Sequence, residues 1–264
     1  MKMGIDISSH NGYIDMAKVK KSNVSFIILR VGYGIENLDE YFFRNYKEVQ
    51  KYNIPVGVYF YSYATNKVEA LKEAQFVMNT IRGLNIEYPV YIDMEDSDGY
   101  KNSRRVTYST CIDICEAFCD FIEKQGYYVG IYANLDWLNN KINNSRLDRF
   151  DKWVAQWNDK CDYKKKYGLW QYSSKGKISG INTNVDLNYA LKDYMQIIKS
   201  ANLNQGNKLE KNYIIKKGDT LSEIAQKYNI DWQIIYEQNK EIIGDNPDLI
   251  IPGQILTIYK GERE

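Results

Sequence analysis

Short β-rich runs alternate with longer helical patterns over about the first 190 residues, and this alternation limits the choice of fold more than any other feature. Residues 66–81 and 107–125 have apolar side chains three and four positions apart, which predicts amphipathic helices. The runs between helices are β-branched and aromatic, as is typical of strands: 2–7, 26–31, 56–63, 90–93 and 128–132. Strands joined by helices are expected to run parallel, with crossover helices.

The β-rich runs continue beyond Tyr132, but no long helical pattern separates them. These later strand candidates are 153–157, 168–172 and 184–187. Eight strands in about 190 residues predict an α/β fold, a closed TIM-like β/α barrel that is irregular in its last third. We assign residues 1–198 to this domain and expect its chemistry at the carboxyl ends of the strands.

A polar segment at 199–212 contains Asn and Gly and has little apolar periodicity, which indicates a linker. Beyond it, residues 213–260 follow the order strand, helix, helix, strand, at 214–215, 220–228, 232–239 and 254–258. Thr220 and Glu223 have the spacing of a capping box, which begins a helix. The sequence therefore predicts a second, small α+β module (βααβ) after the linker.

Composition removes several kinds of chemistry. His10 is the only histidine, which excludes most serine–histidine, cysteine–histidine and multi-histidine metal mechanisms. A formal charge of +1 gives no basic surface for nucleic acid, and no apolar run is long enough to span a membrane. We expect no metal, no cofactor, no nucleic acid and no membrane partner. Three of the four cysteines have the spacing of a buried helix face rather than of a metal site or disulfide scaffold: Cys111, Cys115 and Cys119.

Carboxylates remain as the reactive groups. Asp93 and Glu95 are two positions apart at a strand end, so their side chains point to the same face, roughly 6 to 7 Å apart. Asp6 ends the first strand and Asp186 lies in the last, and closing a barrel makes these strands neighbours. Four acids would then meet at one barrel mouth. Hydrolysis of a glycosidic bond needs such groups, a protonated acid for the leaving oxygen and an anion for the oxocarbenium-like centre.

Aromatic residues are frequent, with 24 Tyr and 5 Trp, and several lie at the ends of predicted strands. Their rings stack on the apolar faces of sugars while their polar atoms form hydrogen bonds. Rings of this kind around acids suit a carbohydrate site. The aromatic candidates for substrate contact are Tyr59, Tyr61, Tyr132, Trp157 and Trp170.

Six short motifs resemble, in order, those of the glycoside hydrolase family 25 lysozymes. The resemblance covers residues 3–191 and rests on GIDIS from Gly4, PVGVY from Pro55, YIDME from Tyr91, WVAQW from Trp153, LWQY from Leu169 and VDLN from Val185. It implies an irregular β/α barrel. It also implies a muramidase that cuts the β-1,4 bond between N-acetylmuramic acid and N-acetylglucosamine in bacterial peptidoglycan.

By this resemblance Glu95 is the general acid and base, and Asp6, Asp93 and Asp186 are its acidic companions. Two routes to retention of configuration stay open. Either Asp93 orients the substrate acetamide, whose oxygen attacks, or Asp186 attacks the sugar directly. Asp6 is expected to hold the network or the substrate, and Gln171, in the LWQY motif, is a further substrate contact.

Residues 213–258 resemble a LysM module, which binds N-acetylglucosamine-containing chains in a shallow groove. The resemblance rests on YIIKKGDTLSEIA from Tyr213, IIYEQN from Ile234 and LIIPGQ from Leu249. It implies glycan contacts in two segments: Gly218, Asp219, Thr220 and Leu221, then Ile250, Ile251 and Pro252. The first segment also has the signals of a turn and a helix cap, which is compatible with binding because a cap presents free backbone groups.

Both units would then address one polymer, and the second would raise the local concentration of the first on it. Two other functions stay open: a wall-binding protein without activity, and a hydrolase of another N-acetylglucosamine polymer such as chitin. The amino-terminal residues lack the apolar stretch of a signal peptide. We therefore expect synthesis in the cytoplasm and action on the wall after release by lysis, as for a phage endolysin, or by another secretion route.

Overall fold

The computed structural model describes residues 1–205, 210–228 and 230–259. The strands in these ranges are β1 Lys2–Ile7, β2 Ile27–Tyr33, β3 Asn37–Leu38, β4 Val56–Tyr61, β5 Val90–Asp93, β6 Val129–Asn134, β7 Asp151–Ala155, β8 Leu169–Gly176, β9 Val185–Ala190, β10 Glu210–Ile214 and β11 Ile255–Tyr259. The α-helices are α1 Met16–Lys21, α2 Phe42–Lys51, α3 Lys67–Ile81, α4 Tyr100–Ser103, α5 Tyr108–Lys124, α6 Tyr194–Ser200, α7 Leu221–Tyr228, α8 Trp232–Gln238 and α9 Lys240–Ile243.

Eight strands close into a barrel in the order β1, β9, β8, β7, β6, β5, β4, β2, with β1 paired to β2. Strand β3 is a two-residue addition beside β2. The barrel strands from β1 to β8 run parallel to their neighbours, whereas β9 runs antiparallel to both β8 and β1. The predicted closed barrel with an irregular last third is confirmed.

The two longest helices begin where the sequence predicts. Asn66 caps α3 by accepting from the backbone N–H of Glu69, and Thr107 caps α5 by accepting from that of Thr110. The predicted cysteine face is also present, because the three cysteines of α5 are buried and free. Helices α3 and α5 cover the outside of the barrel, and their apolar faces form one core with the strands.

Aromatic rings fill the lower part of the barrel. Phe26 stacks on Tyr88 with ring centroids 4.5 Å apart, and Tyr91 packs against Trp153 at 5.2 Å. Gly4 is required beside this layer, because a Cβ there would lie 2.4 Å from the Phe26 ring. The filled interior confines open space to the mouth at the carboxyl ends of the strands.

The chain leaves the barrel later than the expected boundary at 198/199. Helix α6 continues to Ser200. Asn204 is buried, donates to the carbonyls of Ile86 and Tyr88 at 3.0 and 3.1 Å, and accepts from the N–H of Tyr128 at 2.7 Å. Polar composition suggested a linker here, but these polar groups satisfy strand ends of the barrel. Residues 206–209 of the expected linker lie outside the described residues.

The carboxyl-terminal module pairs β10 with β11 in antiparallel fashion and packs α7 and α8 on them. A short helix, α9, adds to the predicted strand, helix, helix, strand order. The predicted capping box is present, since Thr220 and Glu223 exchange backbone-to-side-chain hydrogen bonds at 3.2 Å in both directions. None of the helices in the described ranges has the length and apolar character needed to cross a membrane.

Candidate active site

The carboxyl ends of the barrel strands surround a cavity of about 140 Å³. Asp6 ends β1, Asp93 ends β5 and Asp186 lies near the start of β9, directly opposite Asp6 in the sheet. The structure therefore brings three of the four predicted acids together. The rest of the lining is aromatic and amide: Tyr59, Tyr132, Trp153, Trp157 and Gln171.

Two side-chain amides hold Asp6. Its Oδ2 accepts from Nε2 of Gln171 at 3.0 Å and from Nδ2 of Asn188 at 2.7 Å. Asp6, Gln171 and Asn188 are each at most 5% exposed. Gln171, expected from the sequence to contact substrate, therefore acts in this structure as a support for an acid.

Aromatic donors fix the orientation of both amides. Oδ1 of Asn188 accepts from Nε1 of Trp153 at 2.8 Å, and Oε1 of Gln171 accepts from Tyr132 and Trp157 at 3.1 Å each. With each amide oxygen occupied by a ring donor, each NH₂ group must point towards Asp6. The walls of the cavity thus order the acids as well as enclosing them.

Burial and mutual repulsion raise the pKa values of the acids. The pKa of Asp6 is raised by burial and then by the charge of Asp186, against its two amide donors. Burial also raises the pKa of Asp186. The pKa of Asp93 is raised well above its usual range by burial and by Glu95, and Lys101 opposes this. The group therefore retains protons at pH values where exposed carboxyls are ionised.

Glu95 lies just past the end of β5, half-buried and outside the lining of the cavity. Burial and the charge of Asp186 raise its pKa, while a hydrogen bond with Tyr132 and the charge of Lys101 lower it. Glu95 is thus coupled to the cavity through two of its lining residues. This position leaves Glu95 closer to solvent than Asp93.

A second groove, of about 560 Å³, lies over the ends of β2 and β4. Tyr61 lines this groove rather than the cavity that Tyr59 lines. Arg30 is held there by Asp39, whose Oδ2 lies 2.8 Å from both Nε and Nη2 of the guanidinium, and its Nη1 lies 3.1 Å from Nε2 of His10. Because arginine only donates, His10 is the acceptor, which gives it a structural contact.

The two tryptophans that were predicted to contact substrate differ in placement. Trp157 is 64% exposed at the cavity mouth, so its ring is available to a ligand. Trp170 is buried, donates to the carbonyl of Gln156 at 2.8 Å and packs beside Tyr172 and Tyr189. The structure therefore does not bring Trp170 to the cavity.

In the carboxyl-terminal module the two predicted segments lie side by side. Ile215 donates to the carbonyl of Gln254 at 2.9 Å and accepts from Gly253 at 2.8 Å, which joins the strand before the first segment to the end of the second. Ile251 is 60% exposed, and Leu221 is buried in the module core. The exposed members of the two segments are Gly218, Thr220, Ile251 and Pro252, with Asp219 and Ile250 half-buried.

A model of the family described as Glycosyl hydrolases family 25 matches residues 5–181, well over half of the chain. The chain belongs to this family. The match includes Asp6, Asp93 and Glu95 and stops before Asp186, so the place of Asp186 rests on its pairing with Asp6. A LysM domain model matches residues 213–258.

The family 25 region resembles the autolytic lysozyme of Clostridium acetobutylicum, with 27% identity over 189 residues, 70% of this chain and 54% of that protein. It also resembles the autolysin LytC of Streptococcus pneumoniae, whose structure was solved with a synthetic peptidoglycan ligand: 31% identity, TM-score 0.65, 71% of this chain and 46% of that chain. The CTP1L endolysin matches at 25% identity and TM-score 0.64, over 76% and 70%. The chain spans about half the length of the first two relatives.

Sequence reasoning missed several residues of this family 25 site. Asn188 could have been found, because it lies two positions after Asp186 in a strand and therefore faces the same way. Arg30 and Lys101 gave no signal, since each acts through partners that are distant in sequence. No cluster of three or more His, Cys, Asp or Glu side chains in the described part of the chain has an arrangement for a metal ion.

Proposed function

We propose that this chain is a muramidase that hydrolyses the β-1,4 bond between N-acetylmuramic acid and N-acetylglucosamine in bacterial peptidoglycan. The observation that carries the proposal is the convergence of Asp6, Asp93 and Asp186 in one aromatic-walled cavity, with Glu95 beside it. Acids with raised pKa values and ring faces are what glycoside hydrolysis uses. Membership of family 25 and similarity to an autolytic lysozyme support the same reaction.

Glu95 is the proposed general acid for the leaving oxygen. Its pKa is raised mainly by burial, and the opposing effects of Tyr132 and Lys101 limit that rise. A carboxyl with a raised pKa holds its proton at pH values where an exposed glutamate is ionised, and it can donate that proton in the transition state. Its position at the edge of the cavity suits contact with a bond that crosses the mouth.

Asp93 is the proposed partner of the substrate acetamide. Its Oδ1 is buried and has no hydrogen-bond partner among the described residues, so it is available to a ligand. Asp186 instead faces Asp6 across the sheet, and its charge raises the pKa of Asp6. These observations favour attack by the acetamide oxygen over direct attack by Asp186. In this route the acetamide oxygen bonds to the anomeric carbon while the glycosidic bond breaks and its oxygen leaves with the proton of Glu95. Water, deprotonated by Glu95, then opens the cyclic intermediate at the same carbon, so we expect net retention of configuration.

The LysM module is proposed to hold the enzyme on the wall. The side-by-side segments that contain Thr220 and Ile251 present exposed backbone and one exposed aliphatic side chain, which suit the polar edge and apolar face of N-acetylglucosamine. Binding of the module would raise the concentration of the catalytic domain at the wall and so raise the rate of cleavage.

The test is digestion of purified peptidoglycan by the full chain, with release of reducing ends measured and the products identified by mass spectrometry. We expect products with muramic acid at the reducing end. Glu95→Gln should lose about 100-fold or more of the rate, as expected for removal of a general acid. The matched control is Glu87→Gln, a half-buried glutamate near the opposite end of the barrel, which should keep its activity.

Three outcomes would contradict parts of this proposal. Wall binding without any new reducing ends would mean a binding protein rather than an enzyme. Glucosamine at the reducing end would mean cleavage of the other bond. Faster cleavage of chitin oligosaccharides than of peptidoglycan would reassign the substrate.

We further propose that the protein acts as an endolysin. The support is the similarity of its barrel to the CTP1L endolysin, at 25% identity and a TM-score of 0.64. Expression in a Gram-positive host should leave cells intact until a membrane-permeabilising protein is induced, and then lyse them. Lysis before that induction would favour secretion by another route.

A further inference from the structure

A buried lysine lies directly behind the carboxyl ends of β4 and β5. Lys101, in α4, is 2% exposed, and its Nζ donates to the carbonyl oxygen of Glu95 at 3.0 Å and to that of Ser62. Ser62 follows β4 and Glu95 follows β5, so one ammonium joins two neighbouring strand ends beyond their last paired residues. A buried ammonium is costly unless hydrogen bonds and nearby anions stabilise it.

Acidic groups surround Lys101 without forming an ion pair with it. Its charge lowers the pKa of Asp93 and Glu95, and also that of Glu73 on α3. None of the ion pairs among the described residues includes Lys101. Other titratable groups also face Lys101. Its Nζ lies 5.6 Å from the ring centroid of Tyr61 and 5.9 Å from that of Tyr63. The remaining groups are Asp96 and Asp98 after β5 and Cys111 and Cys115 on α5.

The segment after β5 depends on this arrangement. Oδ1 and Oδ2 of Asp96 accept from the backbone N–H groups of Lys101 and Asn102 at 2.7 and 3.0 Å. Together with the bond from Lys101 Nζ to Glu95, these contacts close residues 95–102 into a ring. Glu95 has no strand partner of its own, so this ring fixes its backbone.

Glu73 completes the arrangement from the other side. It accepts from Oγ of Ser62 at 2.6 Å and from the N–H of Tyr63 at 2.8 Å, and burial raises its pKa to about 7. Glu73 therefore binds the donors of the turn after β4, while Lys101 binds an acceptor of the same turn. The buried side chains of Glu73 and Lys101 therefore contact the end of β4 from opposite sides.

We propose that Lys101 is the positioning residue for Glu95: its ammonium fixes the backbone of this acid and supplies the positive charge that balances the catalytic carboxyls. The inference rests on the proposed role of Glu95. Loss of Lys101 would shift the acid relative to the bond that it protonates. It would also remove one of the effects that oppose burial and like charges, beside Arg30 for Asp93 and Tyr132 for Glu95, so both acids would hold protons to higher pH.

The experiment compares Lys101→Met with Lys152→Met in the full chain. Lys152 is a matched control because it is also a buried lysine, 5% exposed, whose Nζ donates to two backbone carbonyls, those of Leu147 and Phe150 at 2.7 Å each. It is not among the groups that shift the pKa of Asp93 or Glu95. The measurements are kcat and KM on soluble peptidoglycan fragments of at least two disaccharide units from pH 4 to 9, with thermal unfolding of each variant.

For Lys101→Met we expect kcat to fall about 10- to 100-fold, as for a misplaced catalytic group, with a smaller change in KM. The alkaline limb of its kcat–pH profile should move to higher pH by about half a pH unit or more. Lys152→Met should lose thermal stability but keep the wild-type pH profile. If Lys101→Met is recovered unfolded, Lys101→Gln, which loses the charge and keeps a donor, takes its place. Lys101→Arg, which keeps the charge, should retain the wild-type alkaline limb even if its turnover falls.

A Lys101→Met profile that superimposes on the wild type after scaling, or an equal shift in Lys152→Met, would overturn the inference. Failure of the proposed function is a separate result, because the wild-type protein would then release no reducing ends from these fragments at any pH.

Discussion

Asp6 and Asp186 face each other as direct partners in the antiparallel pair of β1 and β9. Burial and the charge of Asp186 together raise the pKa of Asp6 to about 8, although Gln171 and Asn188 both donate to it. Like charges placed opposite each other in a sheet repel, and here low solvent exposure strengthens that repulsion. The pair is therefore more stable when one of the two carboxyls is protonated than when both are ionised.

This relationship predicts how stability depends on pH. The folded pKa of Asp6 lies above that of the unfolded chain, so Asp6 costs stability as the pH rises from about 4 to about 8. Asp6→Asn keeps an acceptor oxygen for both amides and removes the charge. Its free energy of unfolding relative to the wild type should rise by about 1 kcal/mol per pH unit across this window, measured by urea titration. A relative stability that is independent of pH would contradict the raised pKa.

Asn188 is expected to be the more sensitive of the two amides that hold Asp6. Asn188→Leu leaves the buried N–H of Trp153 without an acceptor and removes the 2.7 Å donor of Asp6. We expect a loss of roughly 2 to 4 kcal/mol in the free energy of unfolding, because two buried polar groups lose a partner. Asn182→Ala, at an exposed asparagine of the β8–β9 connection, should change it by less than about 0.5 kcal/mol. Equal effects of the two variants would show that the hydrogen bonds of Asn188 to Asp6 and Trp153 do not stabilise the fold.

Trp157 is expected to contribute to binding rather than to folding, because it is 64% exposed at the mouth. Trp157→Ala should raise KM for soluble peptidoglycan fragments of at least two disaccharide units by roughly 2- to 10-fold, as expected for the loss of one ring contact. Trp157→Phe keeps a ring face and loses the N–H donated to Gln171, so its KM should stay closer to the wild type. An unchanged KM in Trp157→Ala would remove this residue from the substrate contacts.

The late exit of the chain from the barrel predicts where the domains can be separated. A chain that ends at Gln205 keeps Asn204 and should unfold within about 2 °C of the barrel transition of the full chain. A chain that ends at Lys199 lacks this anchor and should unfold at a distinctly lower temperature. The Gln205 truncation should retain cleavage of soluble fragments and lose retention on walls. If this truncation is retained on walls as well as the full chain, the LysM module does not hold the enzyme there.

The exposed segment of the LysM module can be tested by one residue. Ile251→Ser removes an aliphatic side chain that is 60% exposed and should weaken wall binding by roughly 5- to 10-fold, without a change in thermal unfolding. Ile242→Ser is the control, because Ile242 is 44% exposed and lies outside the two predicted segments. Equal loss in both variants would point to general apolar adhesion instead.

The sequence predicted the barrel and the meeting of its acids because both depend on short-range patterns. Alternation along a strand fixes which face Asp93 occupies, and closure of the barrel brings β9 to β1. The predicted strand 90–93 already ended before Glu95, but the position of Glu95 outside the cavity lining was not predicted, since alternation along a strand puts it on the same face as Asp93. The antiparallel direction of β9 also gave no signal, although it is the direction that a short hairpin after β8 requires.

Other features depend on the tertiary structure alone. Trp170 has the same composition signal as Trp157, but its N–H finds a backbone acceptor and its ring finds two tyrosines. Lys101 occupies a short helix in a polar stretch, where a lysine is ordinarily exposed. Asn204 stands in a segment with the composition of a linker. In each case a partner far away in sequence decides the role.

The reversal of β9 has a consequence for how such a barrel can diversify. Strands β8 and β9 are joined by residues 177–184, a hairpin connection at the mouth that leads directly to Asp186. The parallel strands of the barrel return through longer connections, so a change in their length disturbs the outer layer. In the hairpin, Gly180 accepts from the N–H of Asp15 at 2.9 Å and Ile181 packs in the core, but residues 182–184 are exposed, so a change in length there leaves the outer layer in place. New sugar specificities can therefore arise by lengthening one turn at the rim while the acids beneath it keep their register.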